Sequence, residues 1–180
     1  MRIASTIIMV AGLAACATSE PDLPDVSAGQ VSTPAASAAL LNTSGAEIGT
    51  MELTASPHGV LVRLLVTPGG LSAGWHGAHF HGVGDCSDTA AFQKSGAHVH
   101  KSENGHGLLY PYGPEDGDLP NISVAGDGSA AVELFSTFVT LAELQDDDGS
   151  ALIIHANADD HVTQPIGGAG ARVACAVAPR

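Results

Sequence analysis

Basic residues are scarce in this 180-residue chain. Lysine and arginine together number 6 against 19 aspartates and glutamates, which gives a formal net charge of -13. A protein that binds nucleic acid needs a basic face for the phosphate backbone, so nucleic acid is excluded as a partner. An acidic chain of this kind is soluble, and anionic surfaces repel it unless a separate anchor holds it there.

The common fingerprints of nucleotide and hydrolase chemistry are also missing. The sequence has no P-loop, no GxSxG motif and no GxGxxG motif between a strand and a helix. It has instead 22 glycines and 10 prolines, which favour many turns and short strands over long helices. The composition therefore indicates a single domain built from short β-strands.

The N-terminal residues form a separate unit. MRIASTIIMVAGLAAC places Arg2 before an apolar run and small residues before Cys16, the pattern of a secretory signal that is too short to span a membrane. Its ending, LAAC, resembles the lipobox of bacterial lipoproteins, which are cut before the cysteine and lipidated on it. We predict a signal peptide over residues 1–15, lipidation of Cys16 and a periplasmic, lipid-anchored location in a bacterial cell envelope. The alternative is a plain secretory signal cleaved near Ala17.

The segment after the signal predicts a linker rather than a folded element. Residues 16–37 are rich in Ala, Ser, Pro, Asp and Thr and show no useful periodicity. Such a composition is typical of a flexible tether. We therefore expect the folded domain over residues 38–180.

Cysteine is rare, with Cys16, Cys86 and Cys175 as the three examples. If Cys16 carries lipid, the other two remain as an isolated pair in an oxidising compartment, where such pairs usually form a disulfide. The bond would close a loop of about ninety residues and stabilise the fold by several kcal/mol in the chain-entropy model. The alternative is that either thiol ligates a metal.

Short β-like runs separated by turn signals make up much of the domain. The eight candidate strands are 38–43, 49–54, 60–66, 76–83, 122–125, 130–135, 151–156 and 172–177. Strands of this length and spacing predict an all-β fold, an antiparallel sandwich or barrel. Residues 84–120 have little strand character and form a segment far longer than an ordinary loop, so we expect them to carry function.

Histidines cluster in three parts of the chain. On a strand, residues two apart share a face, so His79 and His81 project together, whereas His76 has the opposite parity and is expected to face the core with hydrogen-bonded nitrogens. The long loop adds His98, His100 and His106, and LIIHANADDH adds His155 with two aspartates. His58 lies apart in a predicted turn. Imidazole suits copper and zinc, and mixed imidazole–carboxylate sets suit zinc, so the pattern predicts a metal centre.

These segments together resemble the copper/zinc superoxide dismutases. The matching pieces are GWHGAHFHGVGDC, SGAHVHKSENGHG, GDLPN, HANADDH and GAGARVAC, which occur in the family's order from about Ala38 onward. The resemblance implies an eight-stranded Greek-key barrel, or sandwich, with a long metal-binding loop. It also implies copper and zinc as cofactors and superoxide as substrate. It does not decide whether the chain forms a homodimer.

The resemblance also implies a role for individual residues. Copper ligands would be His79, His81, His98 and His155, with His98 bridging to zinc, and His106 and Asp118 would be further zinc ligands. Asp159 would link the two metal sites. Arg172 would attract the superoxide anion, and His98 would take up a proton and return it to the peroxide. Cys86 and Cys175 match the family disulfide.

One position departs from the family pattern. The family normally has a histidine three residues before the zinc-ligand aspartate, and this chain has Glu115 there. Glutamate can ligate zinc, so Glu115 is a candidate fourth ligand, but the site can also bind zinc weakly or not at all. This leaves two rivals to the two-metal enzyme: a copper-only dismutase, and a non-catalytic copper-binding protein for buffering or delivery. Lys94 and Lys101 are either guides for the anion or ordinary solvated lysines.

Overall fold

The structure, a computed structural model, describes residues 36–179. The predicted signal peptide, the lipidation site Cys16 and all but the last two residues of the predicted tether lie outside this range. Among the described residues, no helix combines the length and the apolar character needed to cross a membrane.

Nine strands carry the fold of the described residues. They are β1 (Ala36–Asn42), β2 (Glu47–Ser56), β3 (Gly59–Val66), β4 (Gly74–His76), β5 (Ala78–His81), β6 (Ile122–Val124), β7 (Ala130–Ser136), β8 (Ala151–His155) and β9 (Arg172–Val177). One helical turn, α1 (Leu141–Leu144), precedes β8, and a 3-10 turn covers Gln93–Ser95.

The strands form one large antiparallel sheet and one small one. The large sheet has the order β5-β8-β9-β1-β2-β3-β7, and β4 pairs with β6 separately. β9 lies beside β1, and β5 lies beside β8, so strands distant in the chain become neighbours, as they do in Greek-key folds. The predicted all-β antiparallel fold is confirmed.

The predicted strand 76–83 is wrong in one respect, because it is two strands that belong to different sheets. Gly77 separates them: its N–H donates to the carbonyl of Asn157 at 2.8 Å, and its carbonyl accepts from the N–H of His155 at 2.9 Å. A Cβ atom at this position would lie 3.0 Å from Cβ of Ala169. The strand count is therefore nine rather than eight.

Strand β8 is buried on both faces, which explains the apolar run that precedes His155 at its end. Leu152 and Ile154 belong to the main core. Ala151 and Ile153, which point the other way on a strand, belong to a second cluster with Phe92 and the two cysteines. His155 lies two residues after Ile153, on the same face of the strand, so its imidazole points to the side that the long loop covers.

A disulfide attaches the long loop to the sheet. Cys86 in the loop is bonded to Cys175 in β9, with the two Cα atoms 5.9 Å apart. The predicted disulfide is confirmed, and neither thiol is left to bind a metal. Closing a loop of this length stabilises the fold by roughly 4 to 5 kcal/mol in the chain-entropy model.

Candidate metal centre

The outer edge of β5 is covered by the long loop. The N–H of Phe80 donates to the carbonyl of Gly117 at 2.8 Å, and the N–H of Val99 donates to the carbonyl of Phe80 at the same distance. This extra pairing places His98 opposite His81. A polar loop segment thereby lies against a buried strand with its backbone hydrogen bonds satisfied.

Four imidazoles meet on this covered face. His79 and His81 come from β5, His98 from the loop and His155 from the end of β8, and all four side chains are buried. One ring nitrogen from each lies within 4.8 Å of the corresponding atoms of the others. We call these four residues the imidazole group. The structure brings together all four predicted copper ligands.

The surrounding chain fixes which nitrogen of each ring faces the others. Three rings donate from their second nitrogen to nearby oxygens: His81 Nδ1 to Gly96 at 2.9 Å, His155 Nδ1 to Gly170 at 3.0 Å and His79 Nε2 to Asp159 at 2.7 Å. A neutral imidazole that donates from one nitrogen has a lone pair on the other. The inward nitrogens of these three rings are therefore acceptors.

The inward nitrogens have no hydrogen-bond partner among residues 36–179. The buried atoms that lack a hydrogen bond include His79 Nδ1 and the Nε2 atoms of His81, His98 and His155. An unsatisfied buried polar atom costs free energy, and lone pairs that face one another cannot satisfy each other. A metal ion at their centre would satisfy all four, so the group fits a cation that imidazole binds well, such as copper or zinc.

Burial also keeps two of these rings neutral. It lowers the pKa of His81 to about 2 and that of His155 to about 4, and neighbouring histidines and Arg172 act in the same direction. The pKa of His79 is lowered as well, chiefly by burial, although the Asp159 carboxylate opposes the shift. These three rings are therefore uncharged at neutral pH.

A second set of donors adjoins the first and shares His98 with it. This mixed group consists of His98, His106, Glu115 and Asp118. Nδ1 of His98 lies 2.7 Å from Glu115 Oε2 and 3.6 Å from Asp118 Oδ1, and Nδ1 of His106 lies 3.8 and 2.7 Å from the same atoms. Donors about 2 Å from a tetrahedral zinc ion are about 3.3 Å apart, so the spacing fits zinc.

The carboxylates change the protonation of the two rings of the mixed group, His98 and His106. Burial disfavours the charged form of His98, but the carboxylates of Asp118 and Glu115 outweigh burial and raise its pKa. Burial is likewise outweighed at His106, where Asp118 and Asp159 raise the pKa to about 10. Hydrogen bonds from His106 and His98 hold the pKa of Asp118 well below its usual range, although burial opposes this shift. Protons therefore balance these carboxylates in the absence of a metal.

Asp159 connects the two groups. Its Oδ2 atom accepts from His79 Nε2 at 2.7 Å and lies 3.1 Å from His106 Nε2. The carboxylate is buried, yet hydrogen bonds from these two rings keep its pKa well below the usual range. One anion thus contacts a ring in each group, at the residue to which the family resemblance assigned a linking role.

Arg172 is held beside the imidazole group by the 3-10 turn. Nη1 donates to the carbonyl of Phe92 at 2.7 Å and to Ser95 Oγ at 2.9 Å, and Nη2 donates to the carbonyl of Gly96 at 2.8 Å. Gly96 also accepts from His81, so one carbonyl contacts both the arginine and a member of the imidazole group. Arg172 is paired with His155 in the β8–β9 ladder.

The remaining predicted residues lie outside the two groups. His76 is buried, and its nitrogens are 2.7 and 2.9 Å from the carbonyls of His155 and Ser72, as expected for a hydrogen-bonded core residue. The half-exposed His100 has its Nδ1 3.7 Å from Glu115 Oε1. The ammonium groups of two lysines are paired, Lys94 with Ser87 at 3.0 Å and Lys101 with Glu143 at 2.7 Å.

Two residues at the site were not found by sequence reasoning. Asn121 holds the backbone of Asp159 from both sides: its Oδ1 accepts from the Asp159 N–H, and its Nδ2 donates to the Asp159 carbonyl, both at 2.8 Å. His161 Nδ1 is buried without a hydrogen bond, 3.6 Å from Asp159 Oδ2. Both residues belong to motifs already quoted, GDLPN and HANADDH, which gave the available signal.

An antiparallel β fold with an all-imidazole group beside a mixed imidazole–carboxylate group defines a metal-binding protein. Comparison with known proteins identifies the family, because the family described as copper/zinc superoxide dismutase matches residues 47–178. The chain is 51% identical over 140 residues to a Cu-Zn superoxide dismutase of Caulobacter vibrioides. That match covers 74% of this chain and 79% of the relative.

Solved structures give the same result. A superoxide dismutase-like protein from Bacillus subtilis matches with a TM-score of 0.76 and 29% identity over 82% of this chain and 100% of that one. The Cu/Zn superoxide dismutase from Brucella abortus matches with a TM-score of 0.67 and 25% identity over 80% and 99%. The chain therefore belongs to the copper/zinc superoxide dismutase family. The predicted family and its class of oxidoreductase are confirmed.

Proposed function

We propose that the chain is a superoxide dismutase that converts superoxide to oxygen and hydrogen peroxide at copper held by the imidazole group. The observation that carries the proposal is the set of four inward, buried ring nitrogens that have no hydrogen-bond partner in the part of the chain that the structure describes. The Caulobacter relative, which bears the name superoxide dismutase, supports the choice of substrate. Copper bound there would supply the one-electron redox chemistry.

The mixed group is assigned to zinc, which has no redox chemistry of its own. His98, His106 and Asp118 would hold it, with Glu115 as fourth ligand. The donor set supports this assignment because imidazole nitrogen and carboxylate oxygen are ordinary zinc ligands. Asp159 fixes His79 and His106 in their required tautomers, since it accepts from Nε2 of both and leaves Nδ1 for a metal.

His98 and Arg172 act on the substrate and product. The Nε2 atom of His98 faces the imidazole group and has no hydrogen-bond partner among residues 36–179. Whenever this atom is not bound to the metal, it can hold a proton and pass it to the departing peroxide. Arg172 presents a permanent positive charge beside the same group and attracts the superoxide anion. Its three hydrogen bonds to one turn keep that charge in place.

Replacement of His155 by alanine tests the copper assignment. Loss of one of four ligands is expected to lower copper affinity and dismutase activity by about a hundredfold or more. His58→Ala is the matched control, because His58 lies in an exposed turn. Copper content by elemental analysis and superoxide decay by pulse radiolysis are measured on both variants. Undiminished activity in a copper-loaded His155→Ala chain would reject the assignment.

The rival is a non-catalytic copper-binding protein, and Arg172 separates the two. Copper storage does not require an arginine, whereas anion attraction does. Arg172→Ala is expected to lower kcat/KM for superoxide by roughly tenfold to a hundredfold while copper content stays unchanged. A copper-loaded wild-type chain without activity would favour the binding protein.

The proposal includes an exported, lipid-anchored location. The support is the signal-like N-terminus that ends at Cys16, together with a disulfide, which forms in oxidising compartments such as the periplasm. Cys16 would carry the anchor, and the membrane would otherwise not be a partner of this acidic chain.

A further inference from the structure

The side chain of Gln164 connects the loop between β8 and β9, residues 156–171, to the long loop. Its Oε1 atom accepts from the backbone N–H of His106 at 3.0 Å, and its Nε2 atom donates to the carbonyl of the same residue at 2.6 Å. Nε2 also donates to the carbonyl of Val162 at 3.0 Å, within its own loop. The amide group thus uses its oxygen and both of its protons, so it holds His106 from a fixed position.

The backbone of His106 needs such support because glycines flank it. Gly107 has a φ of 116°, and a Cβ atom there would lie 2.2 Å from the carbonyl oxygen of His161. Close packing therefore requires glycine at this position. Glycine loses more conformational freedom on folding than any other residue, so ordering the chain beside Gly105 and Gly107 is costly. The two hydrogen bonds from Gln164 restrict the backbone that carries the imidazole.

The two loops hold each other's residues in the same way. Asn121, at the end of the long loop, bonds to the backbone N–H and carbonyl of Asp159. Gln164, in the loop between β8 and β9, bonds to the same two backbone groups of His106. The two residues held in this way are in contact, since His106 Nε2 lies 3.1 Å from Asp159 Oδ2. Gln164 therefore does for a member of the mixed group what Asn121 does for the residue that links the two groups.

Gln164 is exposed, although the residue that it holds is buried. His106 is 1% exposed, whereas Gln164 lies on the surface. A polar side chain at the surface does not fill the core, and water can replace its hydrogen bonds when it is removed. The contribution of Gln164 is therefore the position that it gives to His106 rather than packing.

We propose that Gln164 is a positioning residue of the mixed group: it fixes the backbone of His106 and thereby raises the affinity of the group for zinc. It acts through His106 rather than as a ligand. Residues that orient a metal ligand typically change metal affinity by about tenfold to a hundredfold. This inference rests on the proposed function, because it presumes zinc in the mixed group.

Zinc titration of the full-length chain, with Cu(I) already bound in the imidazole group, tests the proposal. Competition with a chromophoric chelator measures the zinc affinity and, in a separate titration, the Cu(I) affinity. Gln164→Ala is expected to lower zinc affinity about tenfold, because His106 is no longer held in place. Its Cu(I) affinity is expected to change less than about twofold, since His106 does not belong to the imidazole group.

The matched control is Thr163→Ala, at the neighbouring position of the same loop. Thr163 Oγ1 donates to Asp160 Oδ2 at 2.6 Å, so this variant removes a side-chain hydrogen bond within the loop but none to His106. Its zinc affinity is expected to stay within about twofold of the wild-type value. An equal loss of zinc affinity in Thr163→Ala and Gln164→Ala would show general loosening of the loop and would overturn the positioning role.

A cobalt spectrum reports directly on the geometry of the donors. Co(II) in the mixed group, with colourless Cu(I) in the imidazole group, absorbs visible light with an intensity that depends on how nearly tetrahedral the donors are. At saturating Co(II), Gln164→Ala is expected to change this spectrum, and Thr163→Ala is expected to retain that of the wild type. A wild-type spectrum in Gln164→Ala would contradict the proposal.

A second variant separates the hydrogen bonds of Gln164 from its shape. Gln164→Met keeps the length of the side chain and removes the hydrogen bonds, so it is expected to match Gln164→Ala in zinc affinity. Wild-type zinc affinity in Gln164→Met would overturn the role of the hydrogen bonds. A wild-type chain that takes up no zinc would instead contradict the assignment of the mixed group, so the two failures are distinguishable.

Discussion

One residue type has two electrostatic roles in this centre, and the surroundings decide between them. His81 and His155 are buried beside other rings and a cationic arginine, so burial and like charge lower their pKa values. At His98 and His106 the carboxylates of Asp118, Glu115 and Asp159 outweigh burial and raise the pKa. The first pair is ready to donate lone pairs, and the second must release protons before it binds a metal.

The pH dependence of the metal-free chain follows from these shifts. As pH falls from 6.5 toward 4, the unfolded chain protonates His155 and the folded chain resists, so the free energy of unfolding falls. As pH rises from 6.5 toward 10, the folded chain keeps the His106 proton that the unfolded chain has lost, so stability falls again. Urea unfolding with a chelator present should therefore give maximal stability near pH 6.5. Stability that increases steadily from pH 6.5 to 9 would contradict these assignments.

At the scale of elements, the centre depends on a loop that acts as part of the sheet. The segment between β5 and β6 pairs with the edge of β5, is bonded to β9 through Cys86 and Cys175, and holds Arg172 through one turn. Phe92 begins that turn in a left-handed conformation, with φ of 51°, and its ring is fully buried in the second cluster. The buried ring thus holds the carbonyl that accepts from Arg172.

Replacement of Phe92 by alanine is expected to affect both stability and catalysis. Removing the buried ring should lower the free energy of unfolding by about 3 to 5 kcal/mol. It should also lower kcat/KM without loss of copper, because the carbonyl that holds Arg172 is no longer fixed. Phe138→Ala is the control, since Phe138 is 40% exposed. Denaturant unfolding measures the loss of stability, and activity per bound copper measures the effect on catalysis. Unchanged activity per bound copper would refute the role of Phe92 in positioning Arg172.

The elements that sequence predicted best are those with a simple local pattern. The alternating strands β2 and β3, and β8 with its apolar run before His155, follow from periodicity and turn signals. The helical turn α1 had a local signal that was missed, since Thr140 and Glu143 form a capping box around it. The division at Gly77 had no local signal, because it depends on hydrogen bonds to Asn157 and His155 far along the chain.

At the scale of the whole molecule, the site joins segments that are distant in sequence. Composition and spacing predicted a histidine-rich metal centre, and the family resemblance supplied its ligands residue by residue. The contacts of Asn121 with Asp159, and the aim of Glu115 at His98, depend on how the long loop folds back on β5. The local sequence does not show that the loop folds back onto β5, so only the structure reveals these contacts.

The proposed anchor determines where the whole molecule resides. The chain is strongly acidic, so it should leave an anionic membrane once the anchor is removed. Cys16→Ser is expected to move the protein from the membrane fraction to the soluble fraction and to abolish incorporation of labelled fatty acid. Cell fractionation and metabolic labelling measure both effects, with the wild-type chain, which retains Cys16 and the disulfide, as the control. A Cys16→Ser protein that stays on the membrane would contradict the anchor.

The central claim is that two adjoining groups hold one copper and one zinc in an active dismutase. The most direct test is metal content and superoxide dismutase activity on the same purified sample after reconstitution with both metals. The account predicts one copper, one zinc and high activity per chain, all reduced together when His98 is replaced by alanine. A chain that binds copper but has no activity would contradict the proposal that it is a dismutase. An active chain without zinc would contradict the assignment of the mixed group to zinc.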